Sequence, residues 1–132
     1  MNNSLQFRTY EEADLDGVLD LCACEGWTSY LEDRTRTHHV FTAPGVVSVV
    51  ATIGSDVAGF AYFQTDGAIQ AHLSLLVVDE RSRHEGIARS LLAYAFELLD
   101  ATRVDLVTDD AAGFYRRLPH KEQLGFRLYP PS

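Results

Sequence analysis

Apolar and polar residues change period several times along the chain, and each change marks an element. Residues 5–9 (LQFRT) alternate, as a half-buried strand does. Acidic residues crowd positions 11–14, and Leu15, Val18, Leu19 and Cys22 then recur at helical spacing. This predicts a helix that begins with its acids where the helix dipole favours them and closes at Gly26. Residues 33–40 predict a second helix, with Asp33 as its cap and Pro44-Gly45 as its stop. Residues 46–53 (VVSVVATI) and 57–64 (VAGFAYFQ), joined by Gly54-Ser55-Asp56, predict a hairpin. After the turn at Thr65-Asp66-Gly67 comes a third antiparallel strand, residues 68–78, whose apolar end (73–78) predicts burial on both faces.

That run stops at seven polar residues, 79–85, followed by Gly86 and a new helical pattern to residue 99. Ile87, Leu91, Tyr94, Ala95 and Leu98 make its apolar face, which Ala88, Leu92 and Leu99 widen. Residues 103–108 (RVDLVT) predict a strand, and a strand–helix–strand unit makes it parallel to 68–78. Asp109-Asp110 caps a helix over 111–118, Pro119 ends it, 120–124 is a polar loop, and 125–129 (GFRLY) predicts a short final strand. The order is β-α-α-β-β-β-α-β-α-β, a mixed α/β (α+β) sheet whose last strand is short or missing, within a single domain over residues 1–132.

Charge narrows the partners. The net charge of −8 argues against nucleic acid, whose phosphates require a basic surface, and favours a cationic substrate by steering. The N-terminus lacks the basic start and apolar run of a signal peptide, and no apolar stretch is long enough to span a membrane, so a cytoplasmic protein is expected. Cys22 and Cys24, two apart on a helix, point in different directions, which predicts free thiols and no shared metal.

The candidate chemistry sits where the apolar strand meets the helix at Gly86. A helix N-terminus carries unpaired N–H groups and partial positive charge, and so takes phosphate; Arg81, Arg83 and Arg89 lie around it in sequence. The run GxxxxGK[ST] does not occur, which removes a P-loop, and a single glycine in the turn removes a GxGxxG dinucleotide fingerprint.

Arg83-His84-Glu85-Gly86-Ile87-Ala88 resembles the [QR]-x-x-G-x-[GA] acetyl-CoA motif of the GCN5-related N-acetyltransferase (GNAT) superfamily. Leu75-Leu76-Val77-Val78-Asp79 is similar to that family's fourth strand, and Ala111-x-x-Phe114-Tyr115 followed by Leu124-Gly125-Phe126 to its A-x-x-F-Y…L-G-F signature. Phe7-Arg8 followed by Asp14-Leu15-x-x-Val18 is also typical of it, so the resemblance runs through essentially the whole chain. It departs from the pattern in three places. Thr108 stands where asparagine is common, residues 119–123 lengthen the link to Gly125, and the chain stops at Ser132 where many members have one more strand.

The resemblance implies that His84, Glu85, Gly86, Ile87, Ala88, Arg83 and Arg89 hold the diphosphate of acetyl-CoA. Gly86 and Ala88 are small enough for close approach. It implies that pantetheine pairs with the backbone at Leu76, Val77 and Val78, an N–H near Val78 polarising the thioester carbonyl. Tyr115 matches the general acid that protonates the departing thiolate. His72 is the candidate base, with Ser74 as a water-holding neighbour, and Glu25, Trp27 and Tyr30 are candidates for the acceptor mouth. The function implied is transfer of acetyl from acetyl-CoA, with no metal, to a primary amine of a small molecule or protein. The alternatives are a coenzyme A-binding regulatory module without turnover and a generic phosphate-binding α/β domain. A sheet edge left open at the C-terminus implies a homodimer.

Overall fold

The structure is a computed structural model that describes residues 4–131. Five strands form one sheet in chain order: β1 (Leu5–Thr9), β2 (Val46–Ile53), β3 (Asp56–Thr65), β4 (Gln70–Val78) and β5 (Arg103–Asp105). β1 to β4 are antiparallel neighbours and β4–β5 is parallel, as the strand–helix–strand unit requires. Helices α1 (Leu15–Cys24) and α2 (Arg34–Phe41) cover one face, and α3 (Ile87–Leu99) covers the other.

The α1 helix starts one turn later than its acids suggested. Residues Glu12–Asp14 form a 3-10 turn, and Asp14 is buried beneath it. Its carboxylate accepts from both terminal nitrogens of Arg8 (2.8 and 2.7 Å) and from the Glu11 N–H (2.8 Å), which ties β1 to the head of α1. Asp33 caps α2 by accepting from the Arg36 N–H at 3.0 Å. At Gly17, an added Cβ would lie 2.7 Å from a Val57 methyl, so the glycine lets α1 approach β3 closely.

Two apolar layers result. Tyr10, Leu15, Val18, Phe41, Phe60, Tyr62, Leu75 and Val77 pack between the sheet and α1–α2. Val49, Phe63, Ala71, Leu73, Leu91, Ala95 and Leu99 pack between the sheet and α3. The division shows a fault in β4. Ala71 and Leu73 face α3, whereas Leu75 and Val77 face α1, although all four are odd-numbered. The register explains it: Tyr62 pairs with Leu75 and Phe63 with Leu73, so Ser74 has no partner in β3. A bulge of this kind moves every later side chain to the other face.

The structure corrects the sequence reading at several places. β4 starts at Gln70, because Asp66 Oδ1 collects the N–H groups of Ala68, Ile69 and Gln70 into a turn. Its apolar end alternates buried and half-buried residues, and so is not covered equally on both faces. Leu98 of α3 is exposed, and Leu99 takes the buried place. β5 pairs for three residues only, against the six expected. Helix α4 is a single turn, Ala112–Tyr115, and its start is held by Thr108 Oγ1, which accepts from the Ala111 N–H, in place of an Asp109-Asp110 cap. Residues 125–129 form no strand, and Leu124, Phe126, Leu128 and Tyr129 are 77–84% exposed. Among the described residues, the expected last strand does not form.

Candidate active site

The site lies where β4 and β5 part. Their ladder ends at His72↔Asp105, and β4 continues alone on that side to Val78. The direction of its free groups follows from one bond. The Asp79 N–H donates to the Ala58 carbonyl at 2.8 Å, so Asp79 points its hydrogen bond toward β3. Antiparallel pairing alternates in direction, so Val77 and Leu75 also bond toward β3, while the N–H and C=O of Leu76 and Val78 point to the side that β5 has left. Two contacts agree with this. The Val77 carbonyl lies 3.3 Å from the position of a Cβ on Gly59 of β3, and the Val78 carbonyl accepts from Arg83 Nε at 3.3 Å. Of the three expected pantetheine positions, Leu76 and Val78 thus offer backbone groups to the slot and Val77 does not.

Beyond β4 the chain makes a 3-10 turn, Glu80–Ser82, and then enters α3 through two left-handed residues, His84 (φ 68°) and Gly86 (φ 79°). Glycine takes this backbone freely, whereas histidine does so at a cost of roughly 1 kcal/mol. No residue pattern marks the left-handed backbone at His84. Among the described residues, no protein acceptor is paired with the N–H groups from His84 to Arg89, and the first helical bond in the run is Ser90 N–H to the Gly86 carbonyl at 3.0 Å. A row of unpaired amides in such a turn is an anion cradle. The side chain of Ile87 is buried beneath it, while His84, Glu85 and Arg89 are exposed and Ala88 is half-buried.

The arginines divide their work. Arg81 folds back on Asp79, whose carboxylate takes its N–H, Nε and Nη2 and is held below the usual carboxylate range by them. Arg81 is therefore engaged away from the cradle. Arg83 reaches the Val78 carbonyl and forms an ion pair with Glu25, at the end of α1.

Tyr115 is half-buried on the α3 side, with its ring edge-on to Phe114. Burial pushes its hydroxyl up to about 12, so it stays a proton donor through the neutral and moderately basic range. His72 is exposed on the opposite face of the sheet, in a shallow depression lined by Gln64, Thr65, Asp66, Gln70 and Asp105. Gln64, His72 and Asp105 form one row across three strands. Asp105 was not singled out in the sequence, because only the parallel register places it beside His72. Ser74 is the bulged residue two positions on.

At the other end of that face, Trp27 is half-buried against the α1–α2 layer. The Tyr30 hydroxyl shares a 2.8 Å hydrogen bond with that of Tyr62, and the Tyr30 carbonyl accepts from Thr37 Oγ1 at 2.7 Å. Burial and the Tyr62 bond raise the Tyr30 pKa, and these contacts make Tyr30 a clamp between the layer and the sheet.

The acetyltransferase (GNAT) domain family matches residues 35–118, well over half of the chain. The chain belongs to the GNAT family. The order of strands and helices is the acetyltransferase fold of that family, and the activity that goes with it is acetyl-CoA-dependent acetyl transfer. Among solved structures, a putative acetyltransferase from Deinococcus radiodurans R1 is 29% identical, with a TM-score of 0.72 over 95% of this chain and 87% of that one. A transcriptional regulator from Bacillus halodurans C-125 shares the fold at 18% identity and TM-score 0.79, covering 96% of this chain and 99% of that one. AAC(6')-Iy, in complex with the bisubstrate analog CoA-S-monomethyl-acetylneamine, shares it at 16% identity and TM-score 0.77, covering 98% and 99%. Comparison with curated proteins by sequence gives no match. Among the described residues, no helix is long and apolar enough to cross a membrane, and no group of three or more His, Cys, Asp or Glu is placed to hold a metal ion.

Proposed function

We propose that this GNAT domain acetylates a primary amine on a cationic acceptor by direct attack of the amine on the acetyl-CoA thioester. The observation that carries this reading is the continuity of backbone groups turned away from β3, from Leu76 and Val78 on the open edge of β4 to the unpaired amides from His84 to Arg89. A ligand with an amide-bearing arm and a diphosphate fits both. In this reading the diphosphate sits on the cradle, the arm pairs with Leu76 and Val78, and the Val78 N–H polarises the thioester carbonyl. The slot opens on one side toward the face that carries His72 and on the other toward Tyr115. The acceptor ammonium gives its proton to His72, directly or through water held near Ser74. Its nitrogen bonds to the carbonyl carbon as the carbon–sulfur bond breaks, Tyr115 protonates the sulfur, and the second proton shed by the new amide nitrogen returns through water to the Tyr115 phenolate.

The acidic chain favours a cationic acceptor, and the AAC(6')-Iy ligand, which joins CoA to acetylneamine, is in keeping with an amine. Small-molecule and protein amines both satisfy this chemistry. The experiment is a thiol-release assay with acetyl-CoA across a panel of cationic amines, beside calorimetric titration with coenzyme A. The reading fails if coenzyme A does not bind at millimolar concentration. A second reading, a regulatory module that binds coenzyme A without turnover, has the likeness to the B. halodurans regulator in its favour. Binding with no thiol release across the panel would establish it. We further propose that a second copy covers the outer edge of β5 and the exposed tail.

A further inference from the structure

Arg83 is joined to the open edge of β4 and to the end of α1. Its Nε donates to the Val78 carbonyl, one of the groups that β4 turns toward the slot. Its Nη2 pairs with Glu25, 58 residues away at the C-terminal end of α1 and two residues from Trp27. The guanidinium thus bridges the end of the slot, from the loop that carries the cradle to the helix that borders the acceptor mouth. Both members are partly exposed, Arg83 at 45% and Glu25 at 28% of their side chains. A pair of this kind is held weakly and exchanges partners easily.

We infer that the Arg83–Glu25 pair is a clasp that couples the two substrate sites. This rests on the reading of the cradle as a coenzyme A site. Arg83 immediately precedes the first amide of the cradle, so a diphosphate bound there competes with a single carboxylate for the guanidinium. The amide arm of the same ligand competes for the Val78 carbonyl. Donor binding therefore draws Arg83 off both partners and leaves the Glu25 carboxylate uncompensated beside Trp27. A carboxylate released at the end of α1, two residues before an aromatic side chain, offers an ammonium group a charge partner. The acceptor cation then binds better to the donor-loaded protein than to the free protein, and linkage requires that the cation strengthen donor binding by the same factor.

Trp27 is the only tryptophan in the chain, so its fluorescence reports on the clasp directly. The test compares wild type, Glu25→Gln and Arg83→Gln, each checked for an unchanged circular dichroism spectrum and melting temperature. Coenzyme A binding is measured by calorimetry, and Trp27 emission is followed during the titration. The clasp predicts that Glu25→Gln binds coenzyme A about two- to fivefold more tightly than wild type, the range set by a partly exposed ion pair. It also predicts that the emission change seen in wild type is mostly lost in both variants. With 1,4-diaminobutane as probe, coenzyme A raises affinity in wild type and has no effect in Glu25→Gln.

Unchanged or weaker coenzyme A binding in Glu25→Gln overturns the clasp while leaving the site reading intact. Failure of wild type and both variants to bind coenzyme A overturns both. Binding by Glu25→Gln alone supports a clasp strong enough to shut the wild-type site.

Discussion

His72 and Asp105 occupy the last rung of the β4–β5 ladder, directly before the strands part. Side chains on one rung share a face, so the carboxylate stands beside the imidazole at the entrance of the slot. If His72 accepts the amine proton, His72→Ala lowers kcat about 100-fold, near the lower end of what a positioned base supplies. Asp105→Asn lowers it less, because it removes a neighbouring charge and leaves the imidazole in place. Steady-state rates at fixed pH check both, and an unchanged kcat in His72→Ala moves the base elsewhere.

Tyr115 gives a prediction with a defined pH range. Burial holds its hydroxyl up to about 12, above the ordinary tyrosine value, so the neutral donor form persists until the pH approaches that value. If Tyr115 protonates the leaving sulfur as proposed, Tyr115→Phe should cut kcat by about 100-fold or more while coenzyme A affinity stays within about twofold. Ultraviolet titration of the tyrosines should lose a late transition near pH 12 in the variant. Equal losses in binding and turnover would mark Tyr115 as a packing residue.

At Gly86 the backbone and the ligand site make separate demands. Its φ of 79° makes Gly86→Ala cost roughly 1–2 kcal/mol by backbone strain alone, since no atom lies within 4 Å of the added Cβ. Gly86→Val adds a branched side chain in the cradle and should abolish coenzyme A binding. Thermal melts give the first effect and calorimetry the second.

The two cysteines should differ in reactivity. Cys22 is fully buried, and burial pushes its thiol up to about 11, so it is protonated and shielded at pH 8. Cys24, on the same helix, is exposed. A disulfide-exchange reagent at pH 8 should label one thiol per folded chain rapidly and a second only after denaturation. Mass mapping should place the first on Cys24.

The open edge of β5 and the apolar tail predict self-association. Light scattering should give twice the chain mass, and Phe126→Asp combined with Leu128→Asp should shift it to the monomer without altering the melting curve at high dilution. A monomeric wild type removes the second copy as the cover.

The sequence by itself determined the parts whose information is local. Alternation set β1, a β-branched run and its tight turn set β2 and β3 to within a residue, Asp33 marked a cap, and Gly86 with its polar approach marked the cradle. These follow from φ/ψ preference and the period of one segment, which neighbouring residues carry between them. The family signature added the donor for the same reason, being a short run with fixed spacing. Only the tertiary structure decided what depends on pairing between distant segments. The bulge at Ser74 has no residue signature of its own, yet it places His72 and Leu75 on one face and opens the way for Leu76 and Val78 to meet the slot. The early parting of β5, the Asp105 neighbour of His72 and the Arg83–Glu25 contact are matters of register and packing across 33 or 58 residues. The tail failed as a strand for the same reason: an alternating pattern offers a strand, and only a partner edge makes one.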